Sequence, residues 1–330
     1  MSELLLYLLL FLAGFIFLAG GAELLVRGAS RLAATFNVPS VVIGLTVVAF
    51  GTSLPELLVS VIANIQGNGG SELAIGNIVG SNIGNLGLIL GIAGLMAALP
   101  VERHLLRNEY PILTVVTAIF VVMAWNGSID RVEGIMLLIG LVGFTYYSYS
   151  AQRGTPEEIE HYVDLASAVD QGVGQPSRRP LVDVGLILVG LIGLVLGARW
   201  LIDGAQYIAR SFGISELVIG LTLVAVGTSL PELATTVIAV LRKEGDIAVG
   251  NVVGSNLFNM LFIGGLSAVI RPLPVPLHMR GIDFPTMIGF TVLVFIFAAT
   301  NKRHVVRWQG GMLLLLYVSY TIYLFVANGG

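Results

Sequence analysis

The stretch "GTSLPE" stands at 51–56 and again at 227–232, each time inside a long apolar run. Thr52 and Glu56 are one helical turn apart and Ser53 lies three before Glu56, so all three project to one side of a helix. Thr228, Ser229 and Glu232 repeat the spacing. Pro55 and Pro231 lack an N–H, so the carbonyl four residues earlier, that of Gly51 in the first copy, loses its helical donor. A broken helix is tolerable inside a membrane only where protein buries it or it lines a polar cavity. Further along, Asn77, Ser81 and Asn85 form a stripe at i, i+4 and i+8, and Asn251, Ser255 and Asn259 form the same stripe again. The four segments offer carboxylates, hydroxyls, amide carbonyls and freed backbone carbonyls, without sulfur or imidazole. All-oxygen coordination suits hard cations such as Ca²⁺, Mg²⁺ and Na⁺ and fits zinc or copper poorly. A carboxylate at mid-bilayer costs about 3 kcal/mol or more, and neither motif holds an Arg or Lys to neutralise it. One divalent cation, two protons, or two or three monovalent ions would compensate the pair.

Blander readings compete for the same residues. Ser and Thr in membrane helices bond their own i−4 carbonyls, and Gly and Ser serve close helix packing. Any single serine here suits packing as well as ligation, and Gly76, Gly80, Gly84 and Gly87 read as packing. Asn77, Asn251, Asn82 and Asn256 divide evenly between the two roles. Glu56 and Glu232, duplicated and uncompensated, read as functional, and Asn85 and Asn259 side with them. Arg199 and Asp203, at i and i+4, read as an end-of-helix pair. His104, His161, His278 and His304 fall in loops or at span ends, and no His or Lys base accompanies the serines. The chain is therefore not expected to be an enzyme, and it has no cysteine for thiol chemistry.

The elements that must position these residues are membrane spans. Of the 330 residues 56% are hydrophobic and 11% charged, against about 25% charged in soluble domains. Runs of roughly twenty apolar residues recur, the length that crosses a ~30 Å hydrocarbon core. They do not alternate as barrel strands do, so the expectation is an all-α membrane protein. Ten segments stand out: 4–33, 39–65, 72–98, 110–126, 131–151, 181–212, 215–241, 246–270, 283–300 and 307–327. The first lacks a basic leading region and reads as a retained span, not a signal peptide. The hydrophilic stretch 152–180 reads as a solvated linker. Thr155 and Glu158 would cap a short surface helix over Pro156–Val169, and its acids lack the ligand pattern of a calcium loop.

The chain is a duplication. Residues 44–64 match 220–240 at 15 of 21 positions with an offset of 176, and "GNIVGSNIGN" (76–85) matches "GNVVGSNLFN" (250–259) with an offset of 174. Weaker likeness extends outward: "GAELLVRGA" to "GARWLIDGA", "EYP" to "DFP", "RVEGIML" to "RWQGGML". The expected domains are 1–151, a five-helix repeat; 152–180, the linker; and 181–330, a second five-helix repeat. Five is odd, so the second repeat enters the membrane the other way up, giving inverted-topology repeats. With the N-terminus outside, the inner loops hold twelve Arg and Lys residues and the outer loops five. By the positive-inside rule both termini face outward and the linker is cytoplasmic.

These motifs resemble those of the calcium/cation antiporter superfamily, whose two inverted α-repeats carry GTSLPE-like and GSN-x-x-N/D-like sequences. The likeness covers nearly all ten spans and is greatest to the prokaryotic branch of the sodium/calcium exchangers. The proton-coupled branch typically carries GN-x-x-E, where this chain reads GNIVGSN and GNVVGSN. The resemblance implies four ion sites at the centre. Their ligands would be Thr52, Ser53, Glu56, Ser81 and Asn85, with Thr228, Ser229, Glu232, Ser255 and Asn259, plus the backbone carbonyls of Ala49 and Ala225. It further implies a secondary antiporter of the cell (inner) membrane that exchanges Ca²⁺ for about three Na⁺ by alternating access, electrogenically, with the first and sixth spans moving. It implies no prosthetic group, no nucleic-acid partner and a monomer in the lipid bilayer. Some potassium-cotransporting relatives carry Asp where this chain has Asn259, so potassium cotransport is not expected. An electroneutral Ca²⁺/H⁺ exchanger, with H⁺ as partner ion, is the alternative. A passive cation channel is remote, because the inverted duplication surrounds a closed mid-membrane site.

Overall fold

Backbone polar groups in lipid must be satisfied within their own segment, and the apolar runs accordingly fold as helices. The computed structural model describes residues 3–36, 40–66, 70–151, 180–212, 227–301 and 303–328. Helix α1 is Glu3–Phe36. The second run is broken into α2, Gly44–Thr52, and α3, Leu54–Gln66, bent by 49° at Ser53. Then come α4 (Gly70–Met96), α5 (Leu105–Ala124), α6 (Arg131–Ala151) and α7 (Pro180–Ser211). The last four are α8 (Leu230–Leu241), α9 (Gly245–Ile270), α10 (Leu277–Thr300) and α11 (Arg307–Asn328).

Seven of the described helices are long and apolar enough to cross a membrane, eight if α2 and α3 count as one bent span. The other two of the ten expected spans fall short for separate reasons. Helix α6 has the expected 21 residues, but its second half is "LVGFTYYSYSA" and its first turn holds Arg131 and Glu133. The seventh span is described only from residue 227, because 213–226 lie outside the described residues. The linker, with its expected surface helix, also lies outside them. Helix α5 starts five residues before the apolar run predicted, whereas in α10 a short helical piece, Leu277–Gly281, precedes a main helix that runs from Asp283 to Thr300 as predicted. Their first turns hold polar residues that find partners: His104 Nδ1 lies 2.9 Å from the buried Glu109 carboxylate, and the Tyr320 hydroxyl donates to Asp283 at 2.5 Å.

Helices α4 and α9 are the most enclosed. Their small residues permit close approach. A Cβ added at Gly254 of α9 would lie 2.5 Å from the Leu45 carbonyl oxygen of α2. The packing expected of Gly87 is present against Phe290 and Tyr317, and Gly84 just reaches Tyr317. Gly76 and Gly80 meet nothing within 4 Å among the described residues.

Helices α1 and α7 pack along most of their length in antiparallel register. Gly14 sits against Gly197, and Gly21 against Gly190, where a Cβ would lie 2.6 Å from the Leu194 nitrogen. Glycine every seventh residue on both helices lets the two backbones touch. Beyond its uncharged stretch Leu4–Ala22, α1 presents Glu23, which forms an ion pair with Arg242 at the end of α8. The i, i+4 pair of Arg199 and Asp203 is present at 3.9 Å.

Two short antiparallel strand pairs tie the halves together at the helix ends. β1 (Leu99–Pro100) pairs with β4 (His304–Val305). β2 (Ser128–Ile129) pairs with β3 (Leu273–Pro274). The connection between α4 and α5 thus lies beside that between α10 and α11. The connection between α5 and α6 lies beside that between α9 and α10.

Candidate functional site

The two "GTSLPE" copies fold alike. Ser53 leaves the helix at φ −81°, ψ 7° and Ser229 at φ −89°, ψ 9°, the sparsely populated bridge region. A new helix begins one residue later in each, with the proline in its first turn, where the missing N–H is least missed. Glu56 and Glu232 therefore emerge in the first turn of α3 and α8, and each is only 1% exposed. The Ala49 carbonyl keeps its helical donor, the Ser53 N–H at 3.1 Å, and has the Thr52 hydroxyl at 3.3 Å. The position paired with it by the repeat, Ala225, lies outside the described residues.

The two motifs meet, and they satisfy each other crosswise. Ser53 Oγ donates to Glu232 Oε1 at 3.1 Å, and Ser229 Oγ donates to Glu56 Oε1 at 3.2 Å. Thr52 Oγ1 donates to Asn251 Oδ1 at 3.1 Å, and Thr228 Oγ1 reaches Asn77 Oδ1 at 3.5 Å. The amide nitrogens turn back to their own halves. Asn77 Nδ2 donates to the Glu56 carbonyl (3.3 Å) and to Ser60 Oγ (2.9 Å). Asn251 Nδ2 donates to the Glu232 carbonyl (3.4 Å) and to Thr236 Oγ1 (3.1 Å).

The second stripe joins the same cluster. Ser81, Asn85, Ser255 and Asn259 are all buried. Asn85 and Asn259 each begin a π-helical turn, Asn85–Ile89 and Asn259–Gly264, a distortion common at functional sites. Asn85 Nδ2 donates to Asn256 Oδ1 at 2.9 Å, and Asn256 Nδ2 reaches the Asn82 carbonyl at 3.4 Å. The mirror-related amide, Asn259, has neither of its polar atoms bonded among the described residues.

Of the twelve residues expected at the site, eleven are described. Glu56, Glu232, Thr52, Thr228, Ser53 and Ser229 are joined by direct hydrogen bonds or through Asn77 and Asn251. The four stripe residues lie buried on α4 and α9, with Asn85 bonded across the halves. Asn77 and Asn251 were left open between packing and ligation, and the structure gives them contacts to both halves. Their signal in the sequence was that both recur in register with the motifs. Ser60 and Thr236, one turn after each glutamate, went unremarked.

Glu56 Oε2, Glu232 Oε2, Asn85 Oδ1, Asn259 Oδ1 and Ser255 Oγ are buried and have no hydrogen-bond partner among the described residues. Buried polar groups in native proteins are almost always paired, and a buried charge without a partner costs several kcal/mol. Asn259 Nδ2 is also unpartnered, but the carboxylates leave an excess of open oxygens, and no described basic side chain is ion-paired with either glutamate. Oxygen donors with excess negative charge are the chemistry that hard cations prefer.

Apolar helices long enough to cross a membrane, packed around such a cluster, mark an integral membrane protein. The chain belongs to the sodium/calcium exchanger protein family, whose model matches residues 6–150 and 182–326. Membership makes it a cation/calcium antiporter. It is 33% identical to the sodium/calcium exchanger MaX1 of Methanosarcina acetivorans, over 96% of this chain and 98% of that one. It is 35% identical to the inner membrane protein YrbG of Escherichia coli, over 86% of each. The solved structure of the sodium-calcium exchanger NCX_Mj without Na⁺ or Ca²⁺ superposes with a TM-score of 0.82 at 31% identity, covering 98% of this chain and 100% of that one.

Proposed function

We propose that this protein exchanges Ca²⁺ for about three Na⁺ by alternating access, and that Glu56 and Glu232 are its charge-setting ligands. The observation that carries the reading is their environment. Both carboxylates are buried, each is held through one oxygen by the other half's serine, and each leaves its second oxygen open. Two such groups are neutralised by one Ca²⁺, and three Na⁺ leave a net charge of about +1. The exchange is then electrogenic, with each net charge moved worth about 2.3 kcal/mol per 100 mV. Thr52, Ser53, Ser81, Asn85, Thr228, Ser229, Ser255 and Asn259 complete the side-chain ligands, with the carbonyls of Ala49 and Ala225.

The architecture we propose is ten spans in two five-helix repeats, 1–151 and 181–330, inverted relative to each other around the linker 152–180. The strand pairs support it. The connection after the third span can lie beside the connection after the ninth only if the second repeat is upside down. The antiparallel register of α1 and α7, helices at matching places in the two repeats, supports it too. These two helices are the proposed moving pair, with both termini outside and the linker cytoplasmic.

Sodium is the coupling ion in this reading. A GN-x-x-E pattern would place its glutamates at positions 80 and 254, both glycine here. The 2.5 Å approach of a Cβ at Gly254 to the Leu45 carbonyl leaves no room for a carboxylate in that helix packing.

The test is ⁴⁵Ca²⁺ flux in proteoliposomes against imposed Na⁺, K⁺ or H⁺ gradients with the membrane potential clamped. We expect uptake driven by an outward Na⁺ gradient and accelerated by interior-positive potential set with the clamp. Uptake that ignores Na⁺ and follows the pH gradient identifies a Ca²⁺/H⁺ exchanger. Uptake without any counter-ion identifies a channel.

A further inference from the structure

Beyond the ligands, the geometry points to Asn77 and Asn251 as positioning residues of the ion site. Each fixes the glutamate-bearing turn of its own half and takes up the hydroxyl proton of the other half's threonine, so that the threonine offers a cation only lone pairs. The inference rests on the reading of the central cluster as the cation site.

The orientation of both amides is determined by what they face. Asn77 Nδ2 lies 3.3 Å from the Glu56 carbonyl oxygen, and Asn251 Nδ2 lies 3.4 Å from the Glu232 carbonyl oxygen. A carbonyl only accepts, so the nitrogen must be on that side and the amide oxygen on the other. The amide oxygen of Asn251 then faces Thr52 at 3.1 Å, and that of Asn77 faces Thr228 at 3.5 Å. An amide oxygen only accepts as well, so in each contact the threonine must donate. A hydroxyl has one proton and two lone pairs. With its proton committed away from the site, the oxygen is left to coordinate. The competing acceptors within reach of Thr52 are the Ala49 carbonyl at 3.3 Å and the Glu232 carboxylate. By taking the proton, Asn251 leaves the second lone pair of the Ala49 carbonyl, whose first accepts the Ser53 N–H, unclaimed by the threonine. Neither asparagine needs to touch the cation to do this.

The wiring makes a prediction that no simple packing role makes: Thr52 is energetically linked to Asn251, 199 residues away, and not to Asn77. Double-mutant cycles on the purified full chain, read by calorimetric Ca²⁺ titration and by Na⁺ competition, measure this link. Thr52→Val and Asn251→Ala should each weaken Ca²⁺ binding about ten-fold, and the double variant should be little weaker than the weaker single. Thr228→Val with Asn77→Ala should behave the same way. The mismatched pair, Thr52→Val with Asn77→Ala, should multiply to about a hundred-fold. Multiplying effects in the matched pairs overturn the proposal, as does unchanged affinity in both Asn→Ala variants. Lower thermal stability without coupling to the threonine likewise reduces the asparagines to packing. If Asn251→Ala does not fold, the cycle at the less buried Asn77 carries the test alone. If wild-type protein binds Ca²⁺ and the matched cycles couple, but no Na⁺ gradient drives flux, the exchange reading fails and the positioning role stands. A wild-type chain that binds neither ion removes the site and this proposal with it.

Discussion

Replacing Glu56 by Gln keeps the shape of the site and removes one of its two charges. The glutamine carbonyl can still accept the Ser229 hydroxyl that now reaches Glu56 Oε1 at 3.2 Å. The new amide NH₂ occupies the position of Oε2, which is buried and bonded to nothing among the described residues. A cation between the two acidic groups then keeps one carboxylate and gains a donor pointing at it. Removing one partner of a buried charge pair costs about 3–5 kcal/mol, which at ~1.4 kcal/mol per decade is a 10²–10⁴-fold loss of Ca²⁺ affinity. Thermal unfolding with and without Ca²⁺ reads this directly. At a Ca²⁺ concentration about 100 times the wild-type Kd, binding stabilises the wild type by ~2.7 kcal/mol. A variant bound 100-fold more weakly keeps only about 0.4 kcal/mol of that. Without ions the order reverses, because the variant buries one uncompensated carboxylate fewer and should melt higher than wild type. Glu232→Gln should give the same pair of shifts. Glu56→Gln protein that still gains more than about 2 kcal/mol from the same Ca²⁺, or exchanges Ca²⁺ within ten-fold of wild type, would refute the assignment.

Four further outcomes follow from the same structure. Pro231→Ala returns an N–H to the broken turn and lets α8 run on through Ser229; exchange should fall at least ten-fold in vesicle flux while the melting temperature holds or rises. Gly21→Val places a Cβ 2.6 Å from the Leu194 nitrogen and 2.7 Å from the Gly190 carbonyl oxygen. Because backbone cannot yield, α1 and α7 must part, at a cost of about 1–3 kcal/mol in thermal stability. Gly143→Ala, in the open on α6, should instead gain about 0.5–1 kcal/mol. Arg242→Gln breaks the partly exposed ion pair with Glu23 and should change stability by no more than about 1 kcal/mol.

The broken helices were legible because their causes are local. A proline in mid-run removes one donor, and the structure bends at Ser53, within the turn between Gly51 and Pro55. The repeat was legible because it is printed twice. Helical spacing also placed Thr52, Ser53 and Glu56 on one side. It could not tell that Ser53 serves Glu232 and not Glu56, because periodicity speaks only for neighbours on one helix, and these partners are 179 residues apart. The early start of α5 was hidden for a related reason. Hydropathy counts His104 and Glu109 as costs, whereas in the fold the two are paired with each other. The π-helical turns at Asn85 and Asn259 have no sequence signature of their own. They arise where the packing of α4 and α9 admits an extra residue per turn.

The crosswise bonding gives a physical reason for the motif to occur twice. In one half alone, Glu56 would have no Ser229 and Thr52 no Asn251. Its carboxylate would be buried with neither a hydroxyl donor nor a second carboxylate to share a divalent ion. The half-site is thus incomplete on its own, and its polar groups favour assembly with the other half over burial in lipid. Completeness stops short of neutrality: a serine hydroxyl from the other half satisfies one carboxylate oxygen of each glutamate and leaves the other. Had each motif carried a lysine, the cluster would be neutral and an ion would have no charge to compensate. In the proposed reading, the uncompensated charge ties the conformational energy of the core to its cargo, because closing lipid and protein around the site is costly until an ion neutralises it. That coupling is what an antiporter requires, since a carrier that could close empty would let each ion run down its own gradient.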